Sequence, residues 1–268
     1  AETVINGNGV NAAVQVNAND VTVDGFTIRG GAGTYLSGVY SAITNTNLIV
    51  RNNIITDNAI GVYAECATCT IENNLFDANN RPGSAGGAGI YTEKSTDLSI
   101  LNNEFRGHLN NSAVIFAAVA TSSHTNVVFT GNNIHDNNSS NSMVYVVGVT
   151  GGAFNSNTIS QSGSNAFSFS NGNENISLTS NTLLNSGRGI KISNGGDMVA
   201  TSSNFTVLHN IFASNTIAAI EVVDGFDGDV NAINNYWGHP TGPNAPLNLA
   251  GLGDIIIGAV LYTPWCVN

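Results

Sequence analysis

Two Tyr-x-Glu triplets, Tyr63-Ala64-Glu65 and Tyr91-Thr92-Glu93, are the residues of this sequence best suited to chemistry. Each follows a glycine and a β-branched residue, so the two runs look like copies of one strand. On neighbouring strands in register, the carboxylates would sit roughly 5 Å apart. That spacing suits the paired carboxyl groups of a retaining glycosidase, or calcium activating an acidic sugar. The tyrosines offer faces for sugar rings. The same glutamates also read as solvated strand ends whose like-charge repulsion Lys94 relieves.

Other chemistry-bearing groups form weaker patterns. Asp224, Asp227 and Asp229 make D-x-x-D-x-D in a Gly-containing loop, a possible set of oxygen ligands for calcium that departs from EF-hand spacing. It also reads as a solvated acidic loop, and no other cofactor is expected. His108, His124, His135, His209 and His239 lack metal-ligand spacing, and His135-Asp136 adjacency on a strand would point the two side chains apart. Cys66 and Cys69 stand as C-x-x-C, with Cys266 near the end. They read as small thiols or one local bridge, since no βαβ pattern surrounds them and no second pair completes a zinc site. Asn110, Asn137, Asn138, Asn175 and Asn204 lie in N-glycosylation sequons, which arise readily in a chain rich in Asn, Ser and Thr.

Composition narrows the partners. The 268 residues carry 18 acidic and 7 basic side chains, a net charge of −11. There is no basic stripe of the kind nucleic acid requires. The apolar run from Ile255 to Tyr262 is far short of the ~20 residues that span a bilayer, so no transmembrane segment is expected. Only 9% of residues are charged, and Asn, Ser, Thr and 30 Gly supply the polarity. The sequence opens at Ala1-Glu2-Thr3 directly in repeat-like residues, as a mature product freed of a leader would, and as an engineered start also would.

The elements that must position these groups form a repeat. Val50-Arg51-Asn52-Asn53-Ile54-Ile55 recurs as Ile71-Glu72-Asn73-Asn74-Leu75-Phe76, then as Ile100-Leu101-Asn102-Asn103-Glu104-Phe105. The corner asparagines Asn53, Asn74, Asn103, Asn132, Asn157, Asn181, Asn210 and Asn235 follow one another at 21 to 29 residues. A period in that range marks a solenoid. The L-x-x-L-x-L pattern of leucine-rich repeats is missing, and three short strands with three turns per coil fit better. Stacked at ~4.8 Å, identical asparagines can bond up and down as a ladder. They also tolerate the left-handed backbone of a tight corner. A second strand follows each corner. Alternation places Val62, Ile90, Val144, Phe167, Ile190 and Ile220 inside and Tyr40, Tyr63, Tyr91, Tyr145, Ser168, Lys191 and Glu221 outside. Lys191 and Glu221 read as a cross-coil ion pair.

This pattern resembles the right-handed parallel β-helix repeat family, which includes pectate-lyase-like proteins and many secreted or cell-surface proteins. The segment Asn234-Asn235-Tyr236-Trp237-Gly238-His239-Pro240, with Tyr262-Thr263-Pro264-Trp265 further on, is similar to a common C-terminal ending of such chains. The resemblance implies an all-β, single-stranded right-handed parallel β-helix of roughly nine to ten coils. It would form one domain over 1–268, with approximately 234–268 as final coil and cap. Lyases of this fold commonly use a Lys or Arg base with several calcium-binding carboxylates. Here Arg29, Arg51, Arg81, Lys94, Arg106, Arg188 and Lys191 are scattered over different coil positions, and that pattern is not matched.

Function is then read from what the ladder leaves exposed. Thr3-Val4-Ile5 begins the first coil without a capping helix, the charge is sparse, and the last strands are apolar. The leading expectation is a secreted or cell-surface structural protein without catalysis. Its partner would be itself, packed end to end or laterally into a filament, sheath or surface layer. The alternative is a carbohydrate-active enzyme, a polysaccharide lyase or glycoside hydrolase, or a glycan-binding module, with Tyr40, Tyr63, Tyr91 and Tyr145 as the binding face and Glu65 and Glu93 as the acid–base pair. Ice binding lacks a regular outward Thr array.

Overall fold

The computed structural model of the protein describes residues 2–33, 36–118, 123–194, 201–223 and 226–267. Within them the chain winds into a parallel β-solenoid with three long sheets, and none of these residues is helical. The first sheet stacks nine strands, from Val4–Asn6 through Ile54–Thr56, Leu75–Asp77 and Glu104–Arg106 to Ile211–Ala213. The second contains Val14–Val16, Ser37–Ser41, Ile60–Ala64, Ala88–Thr92, Val114–Ala117 and Val144–Val147, and runs on to Gly253–Ile257 and Pro243–Asn244. The third includes Ile49–Arg51, Thr70–Glu72, Ser99–Leu101 and Val128–Thr130. Each inter-coil pairing is parallel and in register, so a residue type repeated at one coil position becomes a column.

The inward columns make the core. On the second sheet Val62, Ile90, Val144, Phe167, Ile190 and Ile220 are fully buried. On the first, Phe76 and Phe105 stack face to face with ring centroids 4.7 Å apart. Gly61 and Gly89 lie against these rings. A Cβ on Gly61 would fall 2.4 Å from the Gly89 carbonyl oxygen and 2.8 Å from Phe76, and one on Gly89 2.8 Å from Phe105. The glycines therefore let the second sheet close onto the phenylalanine stack immediately before each Tyr-x-Glu triplet.

The asparagine ladder runs unbroken from Asn53 to Asn235. Asn74 shows its chemistry: its Oδ1 accepts from the Asn53 backbone N–H and from Asn53 Nδ2, both at 3.0 Å. Its own Nδ2 donates to the Val50 carbonyl at 2.9 Å and to Asn103 Oδ1 at 3.0 Å. The same exchange links Asn103, Asn132, Asn157, Asn181, Asn210 and Asn235. Every ladder amide is buried and satisfied, and leaving one such group unpaired costs about 1–3 kcal/mol.

The corner itself differs from the sequence reading. The left-handed residue is the one before each ladder asparagine: Asn52, Asn73, Asn102, Gly131, Ser156, Ser180, His209 and Asn234 all have positive φ, whereas the ladder residues do not. The backbone turns at the preceding residue, and this swings the ladder amide into the coil.

A second corner carries a partial ladder that the sequence did not disclose. Asn58, Asn79, His108, Asn137, Ser162, Ser186 and Asn215 occupy it, all buried. Asn58 donates to Asn79 Oδ1 from its N–H and from Nδ2, at 3.2 and 2.9 Å. The His108 N–H donates to Asn137 Oδ1 at 2.8 Å. At the third corner Ser95 Oγ meets His124 Nδ1 at 2.8 Å.

Candidate functional site

The outer column of the second sheet holds the candidate site. Register places Gln15, Tyr40, Tyr63, Tyr91, Ile115, Tyr145, Ser168, Lys191 and Glu221 on successive coils. The sequence reading had these residues in one column except Gln15 and Ile115. Ile115 escaped because its strand, Val114–Ala117, lacks the Gly-x-Tyr signature. Tyr40 packs edge-on against Tyr63 at 5.4 Å, and Tyr63 edge-on against Tyr91 at 5.2 Å. Such pairs contribute about 0.5–1.5 kcal/mol beyond their buried area.

Glu65 and Glu93 each follow the last residue of their strands, so register sets them one above the other. Tyr63 Oη donates to Glu65 Oε1 at 3.3 Å, and Tyr91 Oη to Glu93 Oε1 at 2.8 Å. The two carboxyl groups stand on adjacent coils, close enough for the charge of one to act on the other. Burial, followed by the charge of Glu93, pushes the Glu65 carboxyl above its usual range. Burial and the neighbouring carboxylates push both phenols well above theirs, so the tyrosines remain neutral donors. Glu65 is anchored by its N–H to the Ser41 carbonyl at 3.0 Å, and the Cys66–Cys69 disulfide begins at the next residue. C-x-x-C is therefore a local bridge, while Cys266 is a free thiol.

On the next two coils of the same face, a groove of about 340 Å³ is lined by Asn111, Ser112, Ile115, Asn141, Ser142 and Tyr145. It sits at the opening edge of the strands, where the sequence carried only Asn- and Ser-rich turns. Ser112 and Ser142 occupy the same register column, two residues before Val114 and Val144.

The remaining candidates separate. Asp224 lies outside the described residues, and among the described residues no group of three or more His, Cys, Asp or Glu is placed to hold a metal ion. Glu221 pairs with Arg188 rather than with its register partner Lys191, which lies on the same strand as Arg188. His135 and Asp136 do meet, Nδ1 to Oδ2 at 2.8 Å, since Asp136 has φ 52 and the chain turns there instead of continuing as a strand. His135 Nε2 also reaches Glu104 at 3.3 Å, and Arg106 bridges Glu104 and Asp77. Asn110, Asn138, Asn175 and Asn204 are exposed. Asn137 is buried and donates from Nδ2 to the Phe105 carbonyl, so this sequon presents no acceptor amide.

A family model described as right handed beta helix region matches residues 2–105 and 83–236, and the chain belongs to this family. No curated protein matches it. Among solved structures it is similar to the catalytic unit of a thermostable GH87 alpha-1,3-glucanase from Streptomyces thermodiastaticus, with 15% identity over 92% of this chain and a TM-score of 0.52. It is also similar to the A-module of the mannuronan C-5 epimerase AlgE4 from Azotobacter vinelandii, with 14% identity over 93% of this chain and a TM-score of 0.50. The chain spans 49% of the first structure and 64% of the second. At these identities the likeness is one of fold. No helix among the described residues is long and apolar enough to cross a membrane.

The expectation of a self-assembling structural protein without catalysis does not stand. The solved structures similar to it in fold include a glucanase and an epimerase, both named for carbohydrate substrates. The tyrosine column that suggested lateral packing carries a half-buried carboxyl pair tied to two phenols, a costly arrangement for a plain packing strip.

Proposed function

We propose that this protein is a carbohydrate-active β-helix enzyme that holds a glycan on the outer face of its second sheet. The observation that carries this reading is the Glu65–Glu93 pair on adjacent coils, each carboxyl group bonded to a tyrosine. Adjacent coils are ~4.8 Å apart, which sets the two side chains near the ~5–5.5 Å spacing of a retaining hydrolase pair. They form one unit in which burial and the neighbouring charge of Glu93 favour the protonated form of Glu65. Such a unit can protonate a glycosidic oxygen or take a proton from water or from a sugar carbon, steps that contribute about 10²–10⁴-fold in rate. Two coils of tyrosine beside it supply the platform for the sugar. The Cys66–Cys69 disulfide supports an extracellular or cell-surface setting, where such bonds persist.

The test is a screen of neutral and acidic polysaccharides with purified protein, reading new reducing ends for hydrolysis and ultraviolet absorbance of unsaturated products for elimination. Glu65→Gln and Glu93→Gln should each lower turnover by at least about 100-fold with the fold intact. Absence of any turnover, or turnover that both variants retain, overturns the reading.

A further inference from the structure

We infer that the glycan this face takes is uncharged and runs obliquely over the outer face, from the Glu65–Glu93 pair at the closing edge of its strands across Ile115 to a sugar subsite in the groove beside Tyr145 at the opening edge. The inference rests on the reading of the Tyr–Glu face as a glycan site. It adds the chemical class of the ligand and the place of its next ring.

Geometry comes first. Tyr91, Ile115 and Tyr145 are register partners on three successive coils. At ~4.8 Å per coil, the Tyr145 groove lies roughly 10 Å along the axis from Tyr91. Ile115 is only 7% exposed, so it makes a flat apolar floor between two aromatic residues. An apolar step flanked by rings fits the C–H faces of a sugar chain, and the polar groups around it decide the charge of that chain.

The groove's polar groups are all neutral. Asn111, Ser112, Asn141 and Ser142 supply amides and hydroxyls, with Tyr145 and Ile115 as the remaining walls. Ser142 Oγ accepts from Asn165 Nδ2 at 2.9 Å, which turns its own proton away from Asn165. Asn141 Nδ2 reaches Asn111 Oδ1 and the Asn110 carbonyl only at 3.4 Å each, long contacts that a sugar hydroxyl can replace. Ligand pockets of this kind recognise hydroxyl groups through a few convergent dipoles.

Electrostatics exclude a polyacid. A polyuronate brings a carboxylate on each ring and needs matching guanidinium or ammonium groups. No cation lines this groove. The arginines on the flanking turns are engaged: Arg81 with Asp57, and Arg188 with Glu221. Lys94 is the remaining cation beside the carboxyl pair, and it is exposed next to Glu93. The face therefore carries the negative charge of the pair and a neutral groove beyond it, with Lys191 two coils past Tyr145 on the same column and outside the groove lining.

Calorimetric titration of soluble glucan oligosaccharides, alginate and chitosan oligosaccharides into the protein, at low and high salt, tests this. The glucan should bind with an affinity unchanged by salt, because uncharged ligands are not screened. Tyr145→Ala should weaken it about tenfold. Asn141→Ala, at an exposed position that leaves the core intact, should weaken it roughly threefold to tenfold. Tighter, salt-sensitive binding of alginate or chitosan that Glu65→Gln and Glu93→Gln still alter overturns the uncharged class while leaving the Tyr–Glu site in place. Glucan binding that both groove variants leave untouched overturns the subsite. Failure of all three glycans to bind, or binding indifferent to Glu65→Gln and Glu93→Gln, removes the site reading and this inference with it.

Discussion

Glu93 stands one coil beyond Glu65 on the same outer column, and burial, followed by the charge of Glu93, keeps the Glu65 carboxyl above the ordinary carboxylate range. A carboxyl group whose folded pKa is raised binds its proton more tightly in the native state. The pair is therefore most favourable at low pH and loses stability as pH rises through the carboxylate range. Glu65→Gln, a permanent mimic of the protonated form, should remove that loss. Its thermal midpoint at neutral pH should equal or exceed that of the parent, by less than about 1 kcal/mol because the pair is partly solvated. A clear destabilisation at neutral pH would show that the charged pair is held by a cation instead.

The buried histidines set an acid limit. Burial lowers both His108 and His124 to about 4. Unfolding returns them to about 6.5, so the unfolded chain binds more protons between these values and stability falls as pH drops through that window. The cost is about 2 kcal/mol per histidine by pH 5. His108 Nδ1 donates to the Gly87 carbonyl at 2.8 Å, and Asn58, Asn79 and Asn137 fill the equivalent position on other coils. His108→Asn should flatten the stability-against-pH curve measured by urea unfolding at pH 7 and pH 5. An unchanged slope would mean that His108 is protonated in the folded protein.

Two adjacent asparagines should respond in opposite ways. Asn132 is buried in the ladder, accepts twice from Asn103, and donates to the Ile100 carbonyl and to Asn157. Asn132→Ala leaves at least two buried groups without partners and should cost about 3 kcal/mol or more. Asn133 points outward and is exposed, so Asn133→Ala should stay within about 0.5 kcal/mol. Equal losses in urea unfolding would refute the assignment of Asn132 to the ladder.

The cysteines should separate chemically. Alkylation under denaturing, non-reducing conditions should label Cys266 alone, and mass spectrometry after reduction should then find Cys66 and Cys69 newly reactive. The bridge closes a very short loop, so Cys66→Ser with Cys69→Ser should cost about 2 kcal/mol in the loop-entropy account. Three labelled thiols before reduction would show that the bridge is absent in solution.

The sequence by itself determined the solenoid, the inward column through Val62, Ile90 and Val144, the asparagine ladder, and most of the outer tyrosine column. These follow from one-dimensional spacing: a parallel coil in register converts a residue repeated at one position into a stack, and strand alternation decides its face. The tertiary structure alone decided which side chains touch. Contact depends on how the corners turn and how far a side chain reaches, and neither is encoded in period. Hence the left-handed residue falls one place before the ladder, at Asn52 rather than Asn53. Hence Glu221 takes Arg188 in place of its register partner Lys191, and a turn at Asp136 brings it to His135. The partial ladder at the second corner stayed hidden because Asn, His and Ser alternate there, and a burial position tolerates any of them that finds a partner. The same limit applies to the candidate site. Repetition put Glu65 and Glu93 on neighbouring coils, but only packing tied each carboxyl group to its tyrosine and left a neutral groove at Tyr145, because side chains on a crowded face settle by mutual contact and not by sequence interval.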